Sequence, residues 1–413
     1  MTTVARGGIV TGATGPQPQA GEDGAGRIGV HPSELRDARR SPHAPCGRPG
    51  LLGANGATAV AAPPGGRPGP GRIRRRRPVA VERCRPEGET GMSRTTPPRP
   101  QDPVTVLPEL VGHGRTTTRL HPRHGAPGVG DSSIGGPLLW PQDEPWPTCT
   151  EPHPRGEGYL LRDVEQRHAE LYGPRRVRIS PEGRLIPFHP VPRALHRPDL
   201  ADTDPLPLLA VAQLYRRDVP DLAPGPDGCD LLQVLWCPFY LHGPNRLELE
   251  PRLYWRRSGE VGDVLAPAPR PEVAGPGSAF AGPCVLHPEQ VIEYPDLPAL
   301  PKAVSGRLTG GEAERYRAAL GVAPGWKAGG FPHDHEAGPP PTRCACGAAL
   351  TLLLAATYGE WDPENPTWQP VEDRPGRVRL NAPTGFGVCE GSAVQIFVCS
   401  DDPAHPHLTW TRL

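Results

Sequence analysis

Lysine is almost missing from this chain: Lys302 and Lys327 stand against 43 Arg. Methionine is as scarce, at Met1 and Met92 alone, and no Phe, Trp or Tyr precedes Trp140. No run approaches the roughly 18 apolar residues of a membrane helix. The first thirty residues lack a continuous apolar core, which excludes a secretory signal. Arg39-Arg40 is followed by Ser-Pro-His-Ala-Pro-Cys, so a twin-arginine export signal is excluded too. There is no Walker loop, no dinucleotide fingerprint and no G-x-S-x-G elbow. These absences predict a cytoplasmic protein with no membrane partner and no familiar catalytic signature.

What is present divides the chain unevenly. Residues 1–91 hold 14 Arg, 7 acidic residues, no aromatic residue and many Gly, Pro and Ala. Such a segment cannot bury enough apolar surface to offset its chain entropy, which predicts a disordered tail. Arg72 and Arg74 to Arg77 form a basic cluster in it. With no aromatic stacking residues and no folded frame to aim it, the cluster predicts a solvated run, so a nucleic-acid partner is not expected. The Arg, Pro, Gly and Ala bias is what GC-rich upstream DNA would give if translated, so a native start at Met92 is expected. Residues 92–413 carry 31 basic and 38 acidic groups and are ample for one large core.

A phrase occurs twice in that second part. Gly135-Gly136-Pro137, Trp140 and Cys149 form one copy; Gly329-Gly330-Phe331-Pro332 and Cys344 form the other. Each is followed by an apolar stretch of β type, at 206–215 and at 350–358. The repetition predicts one supersecondary unit used twice around a shared core, with halves at about 107–250 and 284–413. Further strands are expected at 231–240, the strongest buried run, at 253–256 and at 394–399. Pro238 should close its strand. A helix is expected at 311–320, one short element at 104–111, and surface excursions at 152–205 and 266–283. Trp140 and Trp146 should pin the first glycine loop to the core. Short strands with few helices predict an α+β fold.

The best chemical constellation is C-terminal. Cys344-Ala345-Cys346-Gly347 is a C-x-C-G turn, and Cys399, His405 and His407 follow. Zinc takes four N or S ligands in a tetrahedron, and two turn cysteines with a distant Cys and His can supply them. Such a site would be closed and would support folding. Asp401 and Asp402 stand where a further Cys would be expected. His333-Asp334-His335, beside Glu336, is a weaker metal candidate in a Pro-rich loop. Gly130-Asp131-Ser132-Ser133 reads as a polar turn. Cys149, Cys229, Cys237 and Cys284 show no evident base, and the cysteines as a group are expected to be thiols or metal ligands rather than disulfides. Glu360 and Asp362 at a strand end read as turn residues.

The residues Gly135-Gly136-Pro137, Trp146-Pro-Thr-Cys149, Gly325-Trp-Lys-Ala-Gly-Gly330, Cys344-x-Cys346-Gly347, Tyr358-Gly-Glu-Trp-Asp362, Pro383-Thr-Gly385 and Cys399 with His405-Pro-His407 resemble the YwqG-like family of bacterial proteins, a domain of unknown function. The likeness spans about 107–413, and 231–239 resembles actinobacterial members. It implies an α+β fold with internal duplication and supplies no catalytic residues. The chain departs from the simplest pattern in a long insertion between Cys149 and Leu206.

The leading expectation is therefore a non-enzymatic binding or adaptor module for a protein or small-molecule partner, with a structural zinc. The alternative is a metal-dependent hydrolase with a cleft between the halves, using Asp131, His333, His335 and Glu360.

Overall fold

The computed structural model describes residues 93–412, apart from 156–157, 173–200, 243–245, 276–279, 334–339, 363–365, 374–380, 388–392 and single positions between them. The expected tail, 1–91, lies outside the described residues. Strands in chain order are β1 Arg115–Arg119, β2 Arg123–His124, β3 Ser133–Ile134, β4 Thr148–Cys149, β5 Tyr159–Leu160, β6 Leu206–Pro207, β7 Leu209–Tyr215, β8 Leu231–Trp236, β9 Leu241–His242, β10 Arg246–Leu247, β11 Pro251–Arg256, β12 Val273–Ala274, β13 Cys284–Val285, β14 Glu289–Glu293, β15 Lys327–Gly329, β16 Leu350–Thr357, β17 Ala393–Cys399 and β18 Leu408–Arg412. Helices are few, so the fold is α+β and mostly sheet.

Two six-stranded antiparallel sheets dominate. Their orders are β2-β13-β3-β7-β8-β11 and β14-β1-β15-β16-β17-β18. Read from the glycine phrase, both run through a meander of three strands: β7, β8, β11 in one and β16, β17, β18 in the other. The expected strands are there, and β8 ends at Trp236, just before Pro238.

A shared ribbon joins the sheets. Arg115 pairs with Glu293 and Arg119 with Glu289 in the second sheet; Arg123 pairs with Val285 and His124 with Cys284 in the first. The register is the same throughout, so 115–124 and 284–293 form one two-stranded ribbon that leaves one sheet and enters the other. His121 sits at the crossing with φ of 43°, a backbone state costly for a residue with a Cβ. Each half thus lends a strand to the other's sheet.

The correspondence extends to details. A bulge interrupts the pairing of β7 with β8 between Ala210 and Ala212, and that of β16 with β17 between Leu352 and Leu354. Gln233 on β8 donates its amide to the Leu139 carbonyl at 2.9 Å; Gln395 on β17 donates to the His333 carbonyl at 3.0 Å. Leu139 and His333 each stand four residues past the first glycine of their phrase. Gly135 and Gly329 have φ of 62° and 71°. A Cβ on Gly135 would meet the Ala281 carbonyl at 2.3 Å, so only glycine fits there.

One apolar cluster lies beneath both sheets: Val211, Val234 and Trp236 from the first meet Trp326, Leu354 and Ile396 from the second. The indole N–H groups of Trp140 and Trp146 donate to the carbonyls of Glu144 and Leu208, both at 3.0 Å, which pins the first loop as expected. The helix at 311–320 exists, with its last five residues in a wider π turn that buries Tyr316 and Leu320. The 152–205 excursion is corrected: it contains the helix Leu161–Tyr172. The 104–111 element reduces to a 3-10 turn at Pro108–Leu110.

Among the described residues, no helix is long and apolar enough to cross a membrane.

Candidate metal centre

Cys344 opens the turn before β16. Its N–H donates to the Ala348 carbonyl at 2.9 Å, and the Gly347 N–H donates back to Cys344 at 2.9 Å. Gly347 has φ of 93°, which lets the chain fold over the sulfurs. Cys399 is the last residue of β17 and pairs with Leu350, so the sheet carries it to this turn. His405 arrives from the loop between β17 and β18. The ligand atoms of Cys344, Cys346, Cys399 and His405 all lie within 4.8 Å of one another. Cys346 Sγ is 3.6 Å from Cys399 Sγ, and Cys344 Sγ is 3.7 Å from His405 Nδ1. A tetrahedron with Zn–S of about 2.3 Å has edges of about 3.8 Å. The four donors fit a zinc-sized ion.

The electrostatics point the same way. Burial opposes ionisation of Cys399, but the backbone N–H groups of Asp401 and Asp402, with His405, hold its thiol down at about 6. That sulfur in turn raises the His405 imidazole. Asp402 explains the departure noted in the sequence. Its Oδ2 lies 3.5 Å from His405 Nε2, the ring nitrogen opposite the one facing Cys344. A carboxylate behind a ligating imidazole fixes its orientation and tautomer, and Asp402 stands in that place relative to His405.

His407 is corrected. It does not join the cluster; its Nε2 donates to the Pro251 carbonyl of β11 at 2.9 Å, which ties the end of the second sheet to the first. The expectation of thiols or metal ligands rather than disulfides is corrected at Cys229, which is disulfide-bonded.

The residues named for a hydrolase have separate partners. Asp131 accepts the Gly128 N–H at 2.9 Å in a turn, and Ser132 donates to Asp218 at 2.7 Å. His333 uses its backbone to hold Gln395, while Asp334, His335 and Glu336 lie outside the described residues. Glu360 sits in a buried network at the ribbon crossing. His121 Nδ1 is 2.5 Å from its Oε1, and Arg123 Nη1 is 2.6 Å from its Oε2. Burial alone would raise its pKa; Arg123, then His121 and Arg119, hold it down at about 2. Glu289 and Asp373 complete the network through His121 and Arg123. An acid fixed in that state is a poor proton donor near neutral pH.

One constellation escaped the sequence. Cys149, His153 and Cys237 converge, with all three ligand atoms within 4.8 Å and all three residues buried. Cys149 and His153 are four residues apart, but Cys237 lies far along the chain from both, and no motif links the three. A scan of family models finds none that matches this chain, and a search of curated proteins finds no match either.

Proposed function

We propose that this protein is a binding scaffold: a duplicated β-rich body whose second meander is closed by a structural zinc at Cys344, Cys346, Cys399 and His405. The observation that carries this reading is the four-donor cluster with Asp402 behind its imidazole. Four protein donors leave no coordination position for a substrate, which is the pattern of a structural site. The Glu360 carboxylate, the strongest acid candidate, is taken up by His121 and Arg123.

The partner surface we assign is a cleft of about 880 Å³ between 141–145 and the end of β11, lined by Gln142, Glu144, Tyr254, Arg256 and Asp263 among others. Arg256 is held there by two contacts to Glu144, at 2.7 and 2.9 Å, and stacks over Trp140 at 4.3 Å. A pre-ordered guanidinium over an indole suits a polar small molecule or a polar protein loop. YwqG-like kinship, which we retain as part of this proposal, adds no activity to it.

Metal analysis of the full chain tests the reading. We expect zinc that co-purifies, resists chelation while the protein is folded and is released with unfolding. A metal that exchanges freely with no change in melting temperature would defeat it. So would turnover that tracks the metal.

A further inference from the structure

We propose that Cys149, His153 and Cys237 form a second zinc site, the counterpart of the first in the other half of the duplication, with three protein ligands and one open coordination position.

The register makes the two sites counterparts. Leu208 N–H donates to the Pro147 carbonyl at 3.0 Å, and Leu350 N–H donates to the Thr342 carbonyl at 3.0 Å. Cys149 and Cys344 each stand two residues past the accepting carbonyl. The bridge next to it agrees: Thr148 pairs with Pro207, and Arg343 with Ala349. On the facing strand, Cys237 stands four residues past Gln233 and Cys399 four residues past Gln395, the two glutamines that hold the glycine loops. Both cysteine pairs therefore occupy matching positions at the same end of matching meanders. The halves differ in what closes the site. In the second half the tight turn supplies Cys346 and the β17–β18 loop supplies His405. In the first half the long excursion between Cys149 and Leu206 replaces the turn, and its first residues supply His153.

The geometry suits a metal. His153 Nε2 lies 3.1 Å from Cys237 Sγ. The His153 backbone N–H is fixed on the Asp202 carbonyl at 2.8 Å, and the ring packs on Phe239 with centroids 5.1 Å apart. The Phe239 N–H reaches Cys237 Sγ at 3.4 Å; burial and the neighbouring Cys149 push the Cys237 thiol up, so it is the ion that must supply the charge that makes it a thiolate. A tetrahedral ion needs S···N edges of about 3.6 Å, so binding would spread the pair by only about half an ångström.

Charge selects the ion. The surroundings are apolar, with Leu206, Leu235 and Phe239 in the same cluster as both sulfurs. Two thiolates and a neutral imidazole around a divalent zinc sum to zero. A monovalent ion with the same donors would leave a net negative charge in that apolar setting, which is costly. Binding releases the two thiol protons to solvent. Two Cys and one His with an open fourth position is a donor set that zinc uses where it also takes water or substrate.

The test uses the full chain and zinc itself. Zinc per chain is measured for the wild type, Cys237→Ser, His153→Asn and Cys399→Ser. We expect two zinc in the wild type, one after Cys237→Ser and one after Cys399→Ser. One zinc in the wild type that survives Cys237→Ser but not Cys399→Ser overturns this proposal and leaves the structural site standing. One zinc lost with Cys237→Ser but kept in Cys399→Ser supports this proposal and removes the other. X-ray absorption on the wild type guards against a variant that fails to fold. Both sites filled give about 2.5 sulfurs per zinc, whereas the C-terminal site alone gives about 3. A Cys149–Cys237 disulfide found by alkylation and mass analysis of freshly isolated protein also overturns the proposal.

Discussion

The two meanders share strand order, bulge, glycine phrase and buried glutamine, yet they differ in how their cysteine ends are closed. In the second, a turn of a few residues brings four donors together, with Cys346 exposed. In the first, the matching cysteines are buried among apolar side chains, with His153 against Cys237. The same strand ends thus carry one partly exposed donor cluster and one fully buried one. The backbone framework of a repeat is conserved by hydrogen bonding and core packing, whereas the loop that caps it is free to change chemistry.

The sharpest way to break this comparison is to remove metal. Binding to a structural zinc site supplies on the order of 10 kcal/mol. A denaturing chelation or Cys399→Ser should therefore melt the second meander first, seen as early hydrogen exchange in β16 and β17 while β7 and β8 stay protected. Simultaneous loss in both sheets would show that the shared core makes the halves one cooperative unit.

Next come the matching positions Lys327 and Ser133, each two residues before the first glycine of its phrase. Lys327 donates to both Glu293 oxygens, at 2.8 and 2.7 Å, and both side chains are fully buried. Lys327→Met leaves Glu293 buried without its cation and should cost about 3–5 kcal/mol. Ser133 is as buried, but its hydroxyl has no hydrogen-bond partner among the described residues. Ser133→Ala should be neutral or slightly stabilising, within about 0.5 kcal/mol. Denaturant midpoints at constant slope measure both.

Acid should act in two steps. Burial pushes His168, on the excursion helix, down to about 4, below the unfolded value of about 6.5. A depressed pKa gives stability that is full above the unfolded value and is lost as pH falls through the folded one. His168 therefore loses its contribution, on the order of 3 kcal/mol, between about pH 6.5 and 4. Glu360, held at about 2, loses its own between about pH 4.5 and 2. His287 is pushed down to about 4 as well, by burial and then Arg94, so His168→Phe should shrink the first fall in a stability–pH curve without abolishing it and leave the second. A curve unchanged by that variant would show that His168 does not carry the first fall.

The most symmetric test is the pair of glutamines. Gln233→Leu and Gln395→Leu each unpair a loop carbonyl and should cost about 1–3 kcal/mol apiece. Gln233 also donates to Gln213 at 3.0 Å and accepts from Arg256 at 2.7 Å, so its loss should be the larger. Equal losses would mean that the extra contacts in the first sheet contribute nothing measurable.

Much of this was legible in the chain. The glycine phrases and the buried runs at 209–215, 231–236, 350–357 and 393–399 announce themselves by composition, because buried strands must be apolar and tight loops need glycine. The C-x-C-G turn with Cys399 and His405 was readable because three of its donors lie in short motifs. The ribbon was not. Arg115-Thr-Thr-Thr-Arg119 looks like a polar linker, and it is a strand because partners on both sides satisfy its backbone and Glu289 and Glu360 receive its charged flank. Nor was the helix Leu161–Tyr172 legible inside a stretch rich in Arg and Glu, or the role of His407.

By itself the sequence determined the duplicated unit, the β character and one cluster of soft donors, because those depend on local composition and short spacing. Only the tertiary structure decided that the halves exchange strands, that Asp402 stands behind His405, and that Cys149, His153 and Cys237 meet. Those depend on which strands pair, and pairing brings together residues far apart along the chain.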